Sequence, residues 1–167
     1  MNARLISTLL LLGALGLTGP IAAQSGFVLF GAKDPSQVLN YRLSKDRAGA
    51  QLTSYDLQIK PQKVAIRQVQ VLFPERYAKS FDPNSIELRN TDGDALIPVA
   101  YAQLDPESLS LTIAAKDPIP SETALTLRLR NVTNPRAPGI HRLRARVLGT
   151  EPNAIYRFVG DWFISLN

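Results

Sequence analysis

The sequence predicts an all-β fold, a single antiparallel Greek-key β-sandwich of immunoglobulin-like type following an N-terminal signal peptide. Three observations predict it. Apolar residues recur at every second position from about Thr53 onward, turn-forming residues interrupt these runs roughly every 8 to 12 residues, and no long segment after residue 52 carries helical spacing. One stretch falls outside the fold. Arg4 precedes the uncharged run Leu5 to Leu17, which Gly19-Pro20 ends, and Ile21-Ala22-Ala23 places a small residue before Gln24. That is the layout of a cleavable export signal over residues 1–23, and the apolar run is shorter than the roughly 20 residues a spanning helix needs.

Each strand is then legible in order. Residues 24–52 read as an irregular segment packed on the domain, where Val38, Leu39, Tyr41 and Leu43 within Pro35 to Arg47 could make a short helix or a loop on the sandwich. From 53 to 167 the sandwich itself follows. Tyr55, Leu57 and Ile59 alternate until Pro61. Val64 and Ile66 share one parity while Val69, Val71 and Phe73 share the other, so a β-bulge is expected at Arg67-Gln68. Pro74 and Pro83 bracket a loop before the short strand Ser85 to Arg89. Thr91-Asp92-Gly93-Asp94 should form a hairpin turn returning through Leu96 to Ala102, with Pro98 restricting that strand to an edge or a bulge. After the turn at Leu104 to Glu107, Leu109, Leu111 and Ile113 alternate until Asp117-Pro118-Ile119-Pro120 breaks the pairing. Leu125, Leu127 and Leu129 form the next inward row, then Leu143, Ala145 and Val147 beyond a proline-rich loop, and Ile155 to Leu166 ends the chain.

Several segments also resemble a family of small exported cyanobacterial proteins classified as a domain of unknown function. They are Val64 to Pro74, Phe81 to Leu88, Pro118-Ile119-Pro120, Leu129 to Arg136 and Tyr156 to Ile164, so the resemblance spans about Ser54 to Leu166. It implies export and taxonomy, and it transfers no catalytic or binding residue.

Composition narrows the function classes. Cleavage after Ala23 would leave 144 residues, enough for one core, and would lower the net charge from +5 to +4 because Arg4 alone is charged in the excised piece. With no cysteine there are no disulfides, thiol nucleophiles, thiolate metal sites or lipidated anchor. An exported, disulfide-free domain points to a periplasm or cell envelope ahead of the extracellular space, and the Asn131-Val132-Thr133 sequon is then incidental.

The lone histidine, His141, sits in an arginine-rich strand without a nucleophile motif and reads as a solvent-facing residue held toward its neutral form by Arg142. No cofactor and no metal is expected, since one histidine and the short Asp92-Gly93-Asp94 turn supply too few ligands. The arginines are more suggestive. Arg128 and Arg130 share one parity on their strand, and Arg142, Arg144 and Arg146 share one on the next, opposite Leu143, Ala145 and Val147. Pairing of those strands would gather five guanidinium groups on one outer face, able to grip sulfate, phosphate or carboxylate, or simply to remain solvated. No aromatic residue interleaves them in sequence, which disfavours nucleic acid. Tyr156, Phe158 and Trp162 share a parity that Phe163 lacks, so one set is expected to line the core and the other to stay partly exposed, with a core role favoured over a sugar-stacking platform.

The expected protein is a non-enzymatic envelope sandwich, structural or binding an anionic glycan or membrane surface. A glycan hydrolase built on a carboxylate pair is the alternative from another class, and a carbohydrate-binding module, marked by two or more aromatic rings exposed in one plane, is the third.

Overall fold

The computed structural model describes residues 34–167; the expected export signal and residues 24–33 lie outside them. Ten antiparallel strands form two five-stranded sheets packed face to face. The first sheet has the order β1 (Tyr41–Leu43), β2 (Thr53–Ile59), β8 (Leu125–Val132), β4 (Ile86–Asn90), β5 (Leu96–Ile97). The second runs β10 (Arg157–Leu166), β9 (Gly139–Gly149), β3 (Ile66–Leu72), β7 (Ser110–Ile119), β6 (Val99–Asp105).

Alternation decides which side chains meet between the sheets. Tyr55, Leu57 and Ile59 of β2, Leu88 of β4 and Leu125, Leu127 and Leu129 of β8 are buried from one side. Val69 and Val71 of β3, Leu111 and Ile113 of β7, and Leu143, Ala145 and Val147 of β9 meet them from the other. The core closes at one end with Phe81, whose ring stacks on Tyr77 at 5.6 Å and meets Phe73 edge-on at 5.3 Å.

The bulge expected at Arg67-Gln68 is present: the β3 ladders to β7 and β9 both slip between Ile66 and Gln68, leaving Arg67 exposed. Pro98 marks a change of sheet. β5 ends at Ile97 on the edge of the first sheet, and β6 starts at Val99 on the edge of the second. Two expectations change. Strand β7 does not stop at Asp117 but resumes, with Ile119 opposite Ile66 and Ala114 opposite Gln68, so the proline-containing stretch between them bows out of the ladder. Within Pro35 to Arg47, expected to be irregular, Tyr41–Leu43 pairs with β2 as an edge strand. Just before it the chain docks along β10, where Leu39 N–H donates to the Asp161 carbonyl at 2.9 Å. This approach needs Gly160. A Cβ there would lie 2.5 Å from the Gln37 carbonyl oxygen and 2.7 Å from the Leu39 side chain.

Candidate functional site

The five arginines do not share a face. β8 is flanked by β2 and β4, and β9 by β10 and β3, so the two strands lie in different sheets and point their outer residues in opposite directions. After β8 the chain does not turn back as a hairpin. It crosses to the other sheet through Asn131 and the Pro135 to Pro138 loop, with Gly139 at a φ of +115°. Parity along a strand fixes its outer face but carries no information about its neighbour, which is why the sequence left this pairing conditional.

The two faces differ in how their arginines are engaged. On the first sheet Arg128 forks onto Asp56, with Nε and Nη2 at 2.7 and 3.1 Å from the two carboxylate oxygens. Arg130 reaches Glu87 at 2.8 Å, and Arg89 reaches Glu87 and Asp94, each at 2.9 Å. Hydrogen bonds from Arg130 and then Arg89 hold the Glu87 carboxyl below its ordinary pKa. Three guanidinium groups are thus met by three carboxylates, while exposed Arg42, the register partner of Asp56, has no ion-pair partner among the described residues.

On the second sheet the balance fails. Arg144 bonds Asp161 at 3.1 Å, but Arg142 and Arg146 have no ion-pair partner among the described residues. Instead, Arg144 lies over the Phe158 ring and Arg146 over the Tyr156 ring, each 5.1 Å from the centroid. Such stacking favours the cation and fixes the plane of the guanidinium, so less side-chain entropy is lost when an anion binds. The aromatic interleaving that the sequence lacked is therefore supplied by the neighbouring strand. Beside these residues an open groove of about 390 Å³ is lined on its polar side by Arg76, Arg142 and Arg144 and on its apolar side by Leu72, Pro74 and Ile140.

The aromatic assignment needs correction for the same reason. Phe158 and Trp162 share a parity in sequence, yet a bulge between Phe158 and Gly160 flips the strand, so Trp162 is fully buried while Phe158 is 42% exposed. Tyr156 also lies outward, half-buried beneath Arg146.

His141 is not solvent-facing. It is buried at the end of the groove, with Nε2 at 3.0 Å from the Ala137 carbonyl and its ring 5.5 Å from Tyr77. The signal was available, since His141 has the parity of Leu143 and Ala145. Burial lowers its pKa from 6.5, the Ala137 bond opposes that, and the charge of Arg76 adds to the lowering. The unfolded chain therefore takes up a proton near pH 6.5 that the folded chain refuses. Stability should be unaffected by this group above that pH and fall as the pH drops below it. Urea denaturation at pH 7.5 and 5.5 should show a smaller loss for His141→Gln than for the unaltered protein.

The sequence matches a family model described as "Protein of unknown function (DUF2808)" over residues 27–166. The chain belongs to this family. No curated protein matches the sequence significantly. Among solved structures, the chain is similar to BslA, a bacterial hydrophobin, at 13% identity and a TM-score of 0.45, covering 80% of this chain and 97% of that one. It is also similar to the collagen-binding domain of a Staphylococcus aureus adhesin, at 9% identity and a TM-score of 0.40 with 76% and 96% covered. A third is self-complemented MyfA, the major subunit of Myf fimbriae from Yersinia enterocolitica, at 10% identity and 0.36, with 77% and 98% covered. At these scores the likenesses add nothing to the two-sheet architecture. No helix among the described residues is long and apolar enough to cross a membrane.

Proposed function

We propose that this protein is an exported, non-catalytic β-sandwich of the cell envelope that binds an anionic ligand on the outer face of its second sheet. The observation that carries the reading is the cluster of arginines on that face: Arg144 and Arg146 lie over aromatic rings, and Arg76, Arg142 and Arg146 are not paired among the described residues, whereas Arg128 and Arg130 on the other face are answered by Asp56 and Glu87. Export rests on the Arg4 to Ala23 pattern in the sequence. Guanidinium groups stacked on rings suit sulfate, phosphate or carboxylate, which they hold through two parallel hydrogen bonds.

The hydrolase alternative is less well supported. It asks for two carboxyl groups roughly 5 to 10 Å apart in a cleft, one of them kept protonated. The arginine groove is lined by none, and the Glu87 carboxyl is held in its ionised form.

The test is a salt series with dextran sulfate and, separately, phosphatidylglycerol vesicles, comparing the protein with the triple variant Arg142→Ser, Arg144→Ser, Arg146→Ser. Arg130→Ser on the opposite face serves as control. Binding that weakens with salt, at least about tenfold lower in the triple variant and unchanged in the control, is the expected result. Equal binding by the protein and the triple variant would overturn the assignment of the face. Vesicle binding without dextran sulfate binding would make the ligand a lipid headgroup.

A further inference from the structure

Two tyrosines reach toward the middle of the second sheet from its opposite flanks. Tyr101 stands on edge strand β6, and Tyr156 directly precedes β10 at the other edge. Both hydroxyls meet one side chain on central strand β3: Gln68 Nε2 donates to the Tyr101 hydroxyl at 2.8 Å, and the Tyr156 hydroxyl donates to Gln68 Oε1. β6 lies two strands from β3, a distance of about 10 Å, so Tyr101 can reach Gln68 only by lying along the sheet over β7. Ala114 makes room for it. This residue is the register partner of both Tyr101 and Gln68, and it is only 5% exposed although its parity opposes the inward Leu111 and Ile113.

The two rings then differ in what covers them. The Tyr156 ring carries the Arg146 guanidinium, while Tyr101 is 47% exposed and has no cation over it among the described residues. In the adjoining register row, Arg146, Gln70, Thr112 and Gln103 lie side by side on β9, β3, β7 and β6. The surface therefore presents a bare aromatic face, a row of amide and hydroxyl groups, and a guanidinium group at the far end. The strands that carry Tyr101 and Arg146 lie three spacings apart, about 14 Å, with the Tyr101 side chain lying between them over β7. Flat apolar surface beside spaced donors and acceptors complements a sugar ring, which has an apolar face and hydroxyls around its rim.

We propose that this face holds an acidic polysaccharide, with one sugar ring stacked on Tyr101 and the acid group of a neighbouring unit on Arg146, which has no ion-pair partner among the described residues. The proposal rests on the anion-binding reading of the arginine face and adds the class of ligand. Charge complementarity alone would accept any polyanion; the tyrosine platform and the amide row would not.

Sodium alginate and polyacrylate separate the two, because both are polycarboxylates and only alginate has sugar rings. Titrated into the purified protein at equal carboxylate concentration, alginate should bind more tightly. Tyr101→Ala should weaken alginate about tenfold and leave polyacrylate unchanged, Tyr101→Phe should stay within about twofold, and Gln103→Ala should weaken alginate about threefold without touching the tyrosine network. Thermal melting of each variant checks that it is folded. Equal binding of the two polymers, insensitive to Tyr101 and Gln103, would overturn the sugar platform while leaving the anion reading standing. Failure of both polymers to bind would remove the two together.

Discussion

Replacing Trp162 by alanine should lower stability by about 4 kcal/mol and the melting temperature by roughly 15 °C. Trp162 is fully buried on β10 of the second sheet, and its indole N–H donates across the sandwich to the Gln58 carbonyl on β2 of the first, at 3.0 Å. It therefore carries two loads. The ring fills core volume between the sheets, and the N–H satisfies a backbone acceptor one residue beyond the β1 ladder, where Leu57 is the last partner of Tyr41. Trp162→Phe separates the loads. It keeps most of the apolar volume and loses the bond, so it should cost about 1–2 kcal/mol, measured by urea denaturation. A similar cost for the phenylalanine and alanine variants would show that the hydrogen bond, rather than packing, ties this edge of the sandwich.

The position of Trp162 also shows what the sequence could and could not reveal. Where a bulge shifts a purely aliphatic pattern, as between Ile66 and Val69, the change of parity is visible because polar Arg67 and Gln68 stand at the join. The bulge between Phe158 and Gly160 leaves no such mark, since apolar residues stand on both sides of it and either face accepts them. Strand faces were legible from alternation throughout β2, β8 and β9 and in the Leu111 to Ile113 part of β7. Strand neighbours were not, because the crossing from β8 to β9 through Asn131 to Gly139 and a hairpin leave the same parity record. The candidate site suffered accordingly. Arg142, Arg144 and Arg146 share the face that alternation implies, while Arg128 and Arg130 are ion-paired on the outer face of the opposite sheet. Arg76, Tyr101 and Gln68 join the face only through tertiary contacts, and no local pattern announces them.

Asn134 illustrates a residue whose weight is invisible in its loop. It lies in Asn131 to Gly139, where asparagine is ordinary turn chemistry, yet it is 1% exposed. Its side-chain oxygen accepts from the Tyr55 hydroxyl at 2.7 Å, and its amide donates to the carbonyls of Lys45 and Arg47 at 3.1 and 2.8 Å. One side chain thus pins the loop after β1 to the end of the core. Asn134→Leu, which keeps the branching and the number of side-chain heavy atoms, should cost about 3 kcal/mol, since a fully buried hydroxyl and two carbonyls lose their partner together. Burial pushes the Tyr55 phenol far above its ordinary pKa, so it stays a donor at any working pH and cannot escape the loss by ionising. Tyr55→Phe removes that stranded hydroxyl. In a double-mutant cycle the combined cost should fall short of the sum of the single costs by about 1–2 kcal/mol, and the residual loss in the double variant would measure the two loop carbonyls. Strict additivity would mean that the Tyr55 hydroxyl finds water once Asn134 is gone, and that this end of the core is wetter than its burial indicates.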